Sequence, residues 1–262
     1  MRRPVVVLAL ALSLAVALVA VAVVLPLLRS GGATPLRSGD FEAGFRGWDL
    51  GGPNVLPVPG AEVTRDTTTA YEGTASARAS IPDGDGNKYA RTIWGGFSGR
   101  PGELRLVAGD DVSYGVALFL PAGFYESMQS YFVPVRWDNF GVANPSRSGL
   151  AMYGDGLLRL VRERDGVEEQ VNLLGDTTFR LSEQEWHWLE VRQVLSTRDG
   201  EALNELRVDD RPVGTSTSRN YYGEPVGALR FGIVAVGGDQ IRPLTVFYDR
   251  AVLARERIGP AG

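Results

Sequence analysis

Two hydrophobic periods organise this chain. The first is continuous. Residues 5–28 are apolar apart from Ser13 and Pro26, and they follow Arg2 and Arg3. A membrane-spanning helix needs about 20 apolar residues, whereas the core of a signal peptide takes about 7–15. The length predicts an uncleaved transmembrane anchor over residues 1–28. Ala20-Val21-Ala22 is an A-x-A-like site and keeps a cleaved signal peptide open. In either case Arg2 and Arg3 stay inside and the remainder lies outside the cytoplasm, membrane-anchored or secreted. Residues 29–38, rich in Gly, Ser and Pro, predict a linker.

The second period is two. Val112, Tyr114, Val116, Leu118 and Leu120 share one face of a strand, with Ser113, Gly115 and Ala117 on the other. Tyr131, Val133, Val135 and Trp137 alternate likewise, which puts Arg136 and Asp138 together on the opposite face. Leu229, Phe231, Ile233 and Ala235 repeat the pattern, as do Leu244, Val246 and Tyr248. Further strands are predicted at 61–65, 76–81, 88–94, 157–162, 167–174, 186–195, 204–209 and 212–217. Asp165-Gly166 is a two-residue hairpin signal, and Asp155-Gly156 and Asp199-Gly200 mark further turns. No helix-period stretch of convincing length competes with them. About a dozen strands predict an all-β domain over residues 39–259, a two-sheet antiparallel β-sandwich.

Composition narrows the chemistry. The chain has no Cys, so disulfides and thiolate metal sites are excluded, as is lipoprotein anchoring after residue 28. One His excludes a zinc site built from two or more imidazoles. The net charge is −4, and residues 1–28 hold two arginines and no acid, so the exported part is more acidic still. Nucleic acid is therefore not an expected partner. Lys88 is the lone lysine among 27 basic residues, an imbalance that points to genome base composition before function.

A Ser-His-Asp enzyme would have to use His187. Alternation gives His187 a face with Leu189 and Val191, which predicts a hydrogen-bonded structural residue. Trp186, Trp188, Glu190 and Arg192 share the other face. Glycoside hydrolysis takes a pair of carboxylates, and a run of alternating acids would gather them on one strand face. No such run exists, and Glu163, Asp165, Glu168 and Glu169 surround a hairpin turn. Asp83, Asp85 and Asn87 imitate the start of a calcium loop, but Trp94 stands where the bidentate Glu belongs, so a Gly-rich turn is predicted.

Three stretches carry a family resemblance. Gly39-Asp40-Phe41-Glu42 with Trp48, followed by Tyr71-Glu72-Gly73-Thr74-Ala75-Ser76-Ala77-Arg78, resembles the opening strands of carbohydrate-binding jelly rolls. Ser113-Tyr114-Gly115 through Leu120-Pro121-Ala122-Gly123-Phe124 to Val135-Arg136-Trp137-Asp138 looks like the central part of heparin-lyase-I-like polysaccharide lyases. Trp186-His187-Trp188-Leu189-Glu190-Val191, Leu206-Arg207-Val208-Asp209-Asp210-Arg211-Pro212-Val213 and Leu229-Arg230-Phe231-Gly232-Ile233 are similar to the rhythm of concanavalin A-like lectin and glucanase domains. Together they imply a concanavalin A-like jelly roll whose concave sheet holds a polysaccharide.

The resemblance also implies site residues. Lyases of this kind carry Gln-x-His on a groove strand, where this chain has Arg136-Trp137-Asp138. Arg136 would pair with a uronate carboxylate and Asp138 would act as base or position a water. Tyr221 or Tyr222 would carry protons, and Tyr89 with Arg91 would clamp substrate on an Arg-rich groove strand. Trp186 and Trp188 would stack on sugars if theirs is the groove face. Glu42 with Asp249 would hold a structural calcium, and no cofactor is otherwise required. The implied activity is β-elimination of an acidic, uronate-containing glycan. A non-catalytic carbohydrate-binding or adhesion module of the cell envelope is the alternative, and an envelope domain without a ligand is a third reading.

Overall fold

The computed structural model describes residues 35–45, 49–50, 60–82, 94–95, 105–128, 131–138, 147–164, 167–175, 179–223, 228–236 and 242–260. The anchor or signal expected over 1–28 lies outside them, as do Tyr89, Arg91 and the Asp83–Asn87 turn. Among the described residues no helix is long and apolar enough to cross a membrane.

Strands dominate the described residues, as the alternation predicts. In chain order they are β1 (Pro35–Gly39), β2 (Asp49–Leu50), β3 (Glu62–Asp66), β4 (Ser76–Ile81), β5 (Trp94–Gly95) and β6 (Asp111–Phe119). A one-turn helix, α1 (Phe124–Ser127), precedes β7 (Tyr131–Asp138), β8 (Arg147–Tyr153), β9 (Leu158–Arg164) and β10 (Val167–Asn172). Then come β11 (Trp186–Val194), β12 (Leu203–Val208), β13 (Arg211–Ser216), β14 (Ala228–Val236) and β15 (Leu244–Ala254).

Two antiparallel sheets result. The larger runs β13-β12-β11-β6-β15-β4-β3, with β1 paired on the second half of β15. The smaller runs β10-β9-β8-β7-β14, and β2 pairs with β5 apart from both. The core lies between the sheets. The larger sheet sends in Val112, Tyr114, Val116, Leu118, Leu189, Val191 and Val246, and the smaller Phe132, Val135, Trp137, Leu150, Leu160 and Phe231. Tyr114 meets Trp137 edge-on at 4.7 Å between ring centroids, one large contact between the sheets. Tyr248 crosses the same gap, its hydroxyl donating to the Gly232 carbonyl at 2.6 Å. Burial pushes both phenols far above the ordinary tyrosine range, so both stay neutral.

Two expectations need correction. Residues 35–38, expected within the linker, belong to strand β1, whose Ser38 and Gly39 lie opposite Val252 and Ala251. Pro is tolerated at the first residue of a strand, so Pro35 does not prevent pairing. The second correction concerns β7. Phe132 faces Met152 and Val135 faces Leu150, so three steps on β7 oppose two on β8. Pro134, which lacks a ladder donor, sits in this bulge. Alternation therefore shifts by one. Phe132 joins Val135 and Trp137 in the core, while Tyr131 and Val133 pack with Ala151, Val161 and Tyr153 on the outer face.

Candidate functional site

The outer face of the smaller sheet collects charge at one end and aromatic rings at the other. On β14, Arg230 alternates with the core residues Leu229 and Phe231. On β7, Arg136 alternates with Val135 and Trp137, and its register partner is Arg230. The pair is 6% and 5% exposed. On the other side of Arg136 stands Gly149 of β8. A Cβ there would collide with the Val135 carbonyl oxygen and come within 3.1 Å of Arg136 Cα. Gly149 thus lets β8 close on β7 beside the arginine.

Val133, Ala151 and Val161 form an apolar stripe next to this pair. At its far end Tyr131 and Tyr153 face each other with ring centroids 6.2 Å apart. The Arg159 guanidinium lies 4.9 Å from the Tyr153 centroid. Arg159 is itself held by Asp155, at 3.0 Å and 2.5 Å, and this contact holds the Asp155 carboxyl below its usual range. Guanidiniums match carboxylates through two parallel N–H bonds, and aromatic faces suit the C–H patches of sugars. The face brings guanidiniums and aromatic rings together.

The residues expected from the sequence do not all gather here. Asp138 ends β7, opposite Ala228 and Arg147. Tyr221 is 4% exposed and belongs to the main core. Tyr222 lies beneath Arg162, 5.3 Å from guanidinium carbon to ring centroid. Arg162 alternates with Val161, so it projects to the inter-sheet side, where it donates to the Arg219 carbonyl. Both phenols therefore lie off the Arg136 face, which corrects their expected place. The cause is Asn220. Its side chain accepts from Ser196 N at 3.0 Å and donates to the Leu203 carbonyl at 3.0 Å, while Tyr221 N donates to the Ser196 carbonyl. The segment is pinned against β11 and β12.

Trp188 is likewise enclosed, on the outer face of the larger sheet, at 1% exposure. It stacks on Tyr71 with centroids 6.5 Å apart, and the Arg250 guanidinium lies 4.8 Å from its ring. Gly115 makes the room, since a Cβ there would collide with the indole. Trp186 is half-buried between Tyr71 and Phe119. Glu190 accepts from Ile258 N at 2.7 Å and Gly259 N at 2.9 Å, fastening the C-terminal segment over this face. Trp188 is therefore a packing residue and not a sugar platform.

Glu42 and Asp249 do not suit a cation. Glu42 accepts from Thr74 N, Thr74 Oγ1 and Ala75 N. Asp249 accepts from Tyr71 N, Glu72 N and Arg250 N. Both carboxylates thus meet N–H and O–H donors, the opposite polarity to a calcium cradle of oxygens. Among the described residues no group of three or more His, Cys, Asp and Glu could hold a metal.

Sequence reasoning did not single out Tyr131, Tyr153, Arg159 or Arg230. Arg230 was legible from its alternation with Leu229 and Phe231. Tyr131 was misplaced because strict alternation was carried through Pro134, which is itself the signal of a bulge.

Two antiparallel sheets over one shared core make a concanavalin A-like β-sandwich. No family model and no curated protein sequence matches the chain. Solved structures do. An endo-β-1,4-glucuronan lyase from the fungus Trichoderma reesei superposes with a TM-score of 0.60 at 14% identity, covering 84% of this chain and 95% of that one. A cellulose-induced protein gives 0.58 at 19% identity, with 86% and 100% covered. An alginate lyase from a Chlorella virus gives 0.55 at 11%, with 85% and 100% covered. At these identities the likeness is one of fold.

Proposed function

We propose that this chain engages a uronate-containing polysaccharide along the outer face of its smaller sheet and cleaves it by β-elimination. The carrying observation is the register pair Arg136–Arg230. Two guanidinium forks on adjacent strands can grip one carboxylate, and their low exposure means that a carboxylate reaching them is desolvated, which strengthens the attraction. Neutralising that carboxylate acidifies the C5 proton of a uronate. Its removal forms the C4–C5 double bond as the C4–O bond breaks, and the leaving oxygen takes up a proton. Asp138, two residues after Arg136 in the sequence, is the proposed proton acceptor. Tyr131 and Tyr153 are the proposed sugar-stacking rings. The lyase folds of the structural neighbours support this reading.

The polymer would be met outside the cytoplasm. Arg2 and Arg3 before the apolar residues 5–28 support that location.

A non-catalytic binding module is the second reading. It is favoured by the places of Tyr221 and Tyr222, which lie off the Arg136 face. Incubation of the full-length chain with glucuronan, alginate and heparin separates the two. Ultraviolet-absorbing unsaturated ends support the lyase. Binding without such ends supports the module.

A further inference from the structure

The lone histidine stands at a cavity on the other sheet. His187 of β11 is 6% exposed and lies between two oxygen groups. Its Nδ1 is 2.8 Å from Asp209 Oδ2, and its Nε2 is 2.9 Å from Ser182 Oγ. The three residues border a cavity of about 790 Å³ whose lining also includes Phe179, Arg180, Arg211, Glu126 and Glu183.

Each member is held by backbone. Asp209 occupies the hairpin between β12 and β13 with φ of 49°, its N–H donating to the Trp188 carbonyl at 2.9 Å. Its Oδ1 accepts from Trp188 N at 2.8 Å, which leaves Oδ2 aimed at the imidazole. The loop carrying Ser182 is tied at both sides. Tyr125 Oη donates to the Leu181 carbonyl at 2.8 Å, and Gln184 N donates to the Leu120 carbonyl at 2.7 Å. Glu183 adds two acceptor contacts, to Gly123 N and Tyr125 N.

We propose that Ser182, His187 and Asp209 form a nucleophilic triad that hydrolyses a small carboxylic ester bound in this cavity. Asp209 Oδ2 accepts a hydrogen bond from Nδ1–H, which leaves Nε2 as the acceptor toward the Ser182 hydroxyl. Ser182 Oγ attacks the ester carbonyl carbon as its proton passes to Nε2. Collapse of the tetrahedral species breaks the C–O bond, and the alcohol leaves with the Nε2 proton. Water then attacks the acyl-serine by the same path, which releases the carboxylic acid and restores the serine. Phe179, half-buried in the lining, offers an apolar surface for the acyl group. Glu185 sets the resting state. Its Oε2 is 2.7 Å from Ser182 Oγ and competes with Nε2 for the one hydroxyl proton.

A fluorophosphonate probe tests this on the full-length chain, with intact mass and peptide mapping as readout. One adduct at Ser182 is expected, absent from Ser182→Ala. Asp209→Asn offers Nδ1 an amide, forces the wrong tautomer and slows labelling by about 100-fold or more. His187→Gln removes the general base and slows labelling likewise, and folding of each variant is checked by circular dichroism. Glu185→Ala labels faster than the parent. Hydrolysis of p-nitrophenyl acetate follows the same order across the variants. No adduct at Ser182, equal labelling in folded Asp209→Asn, or slower labelling in Glu185→Ala would each overturn the triad.

Discussion

Arg230 lies directly opposite Arg136 across the β14–β7 ladder, two like charges in register on one face. Like charges placed so repel across the ladder, and a bound carboxylate would offset that repulsion. If the pair meets a uronate, each guanidinium makes a charge-assisted hydrogen bond worth about 1.5–3 kcal/mol. Arg136→Ala and Arg230→Ala should then each weaken oligoglucuronate binding roughly 10- to 150-fold by calorimetry. Arg136→Lys should recover only part of the loss, because an ammonium cannot form the bidentate fork.

Trp188 and Gly115 interlock, and their variants should separate stability from ligand binding. Gly115→Ala forces a methyl into the indole and should cost about 1–3 kcal/mol. Trp188→Ala should cost about 3–5 kcal/mol. Denaturant melts measure both. Glycan affinity of the folded fraction should stay at the parent value, since this face is closed by Tyr71 and the C-terminal segment.

The bond from Tyr248 to the Gly232 carbonyl joins the two sheets. Tyr248→Phe leaves that buried carbonyl without its partner and should cost about 1–3 kcal/mol in a urea melt. The phenol is held neutral by burial, so the loss should not vary between neutral and mildly alkaline pH.

Glu42 gives an acid-sensitive contact. Its pKa is lowered, first by the Thr74 hydroxyl and then by the Thr74 and Ala75 amides. A carboxyl with a depressed folded-state pKa adds stability that is present above its unfolded value and lost as pH falls through the folded one. The melting temperature should therefore drop more steeply below the ordinary glutamate range in the parent than in Glu42→Gln.

The sandwich was legible because its central strands alternate cleanly. Residues 112–120, 186–195 and 229–235 were expected as strands and are β6, β11 and much of β14. Strand β8 escaped notice because Gly149 and Ala151 are small, and small residues carry little periodic signal. Strand β1 was hidden by Pro35 and Gly39, residues that also mark linkers. The site was less legible than the fold. Arg136 was assigned its face correctly, but Tyr131 was moved across the sheet by one bulge. Tyr221 and Tyr222 were placed from their turn-rich setting, while the Asn220 contacts that turn them inward span distant strands. His187 was expected to be hydrogen-bonded, and it is. That its two partners are a serine and an aspartate follows from the β12–β13 hairpin folding Asp209 back onto β11.

The most direct measurement is calorimetric titration of oligoglucuronate into the full-length chain in mild detergent, with the double variant Arg136→Ala/Arg230→Ala beside it. Saturable binding by the parent that weakens with salt and disappears in the folded double variant is the expected result. Binding of equal strength in both, or no binding of any uronate oligomer by the parent, would contradict a carboxylate site at the Arg136–Arg230 pair.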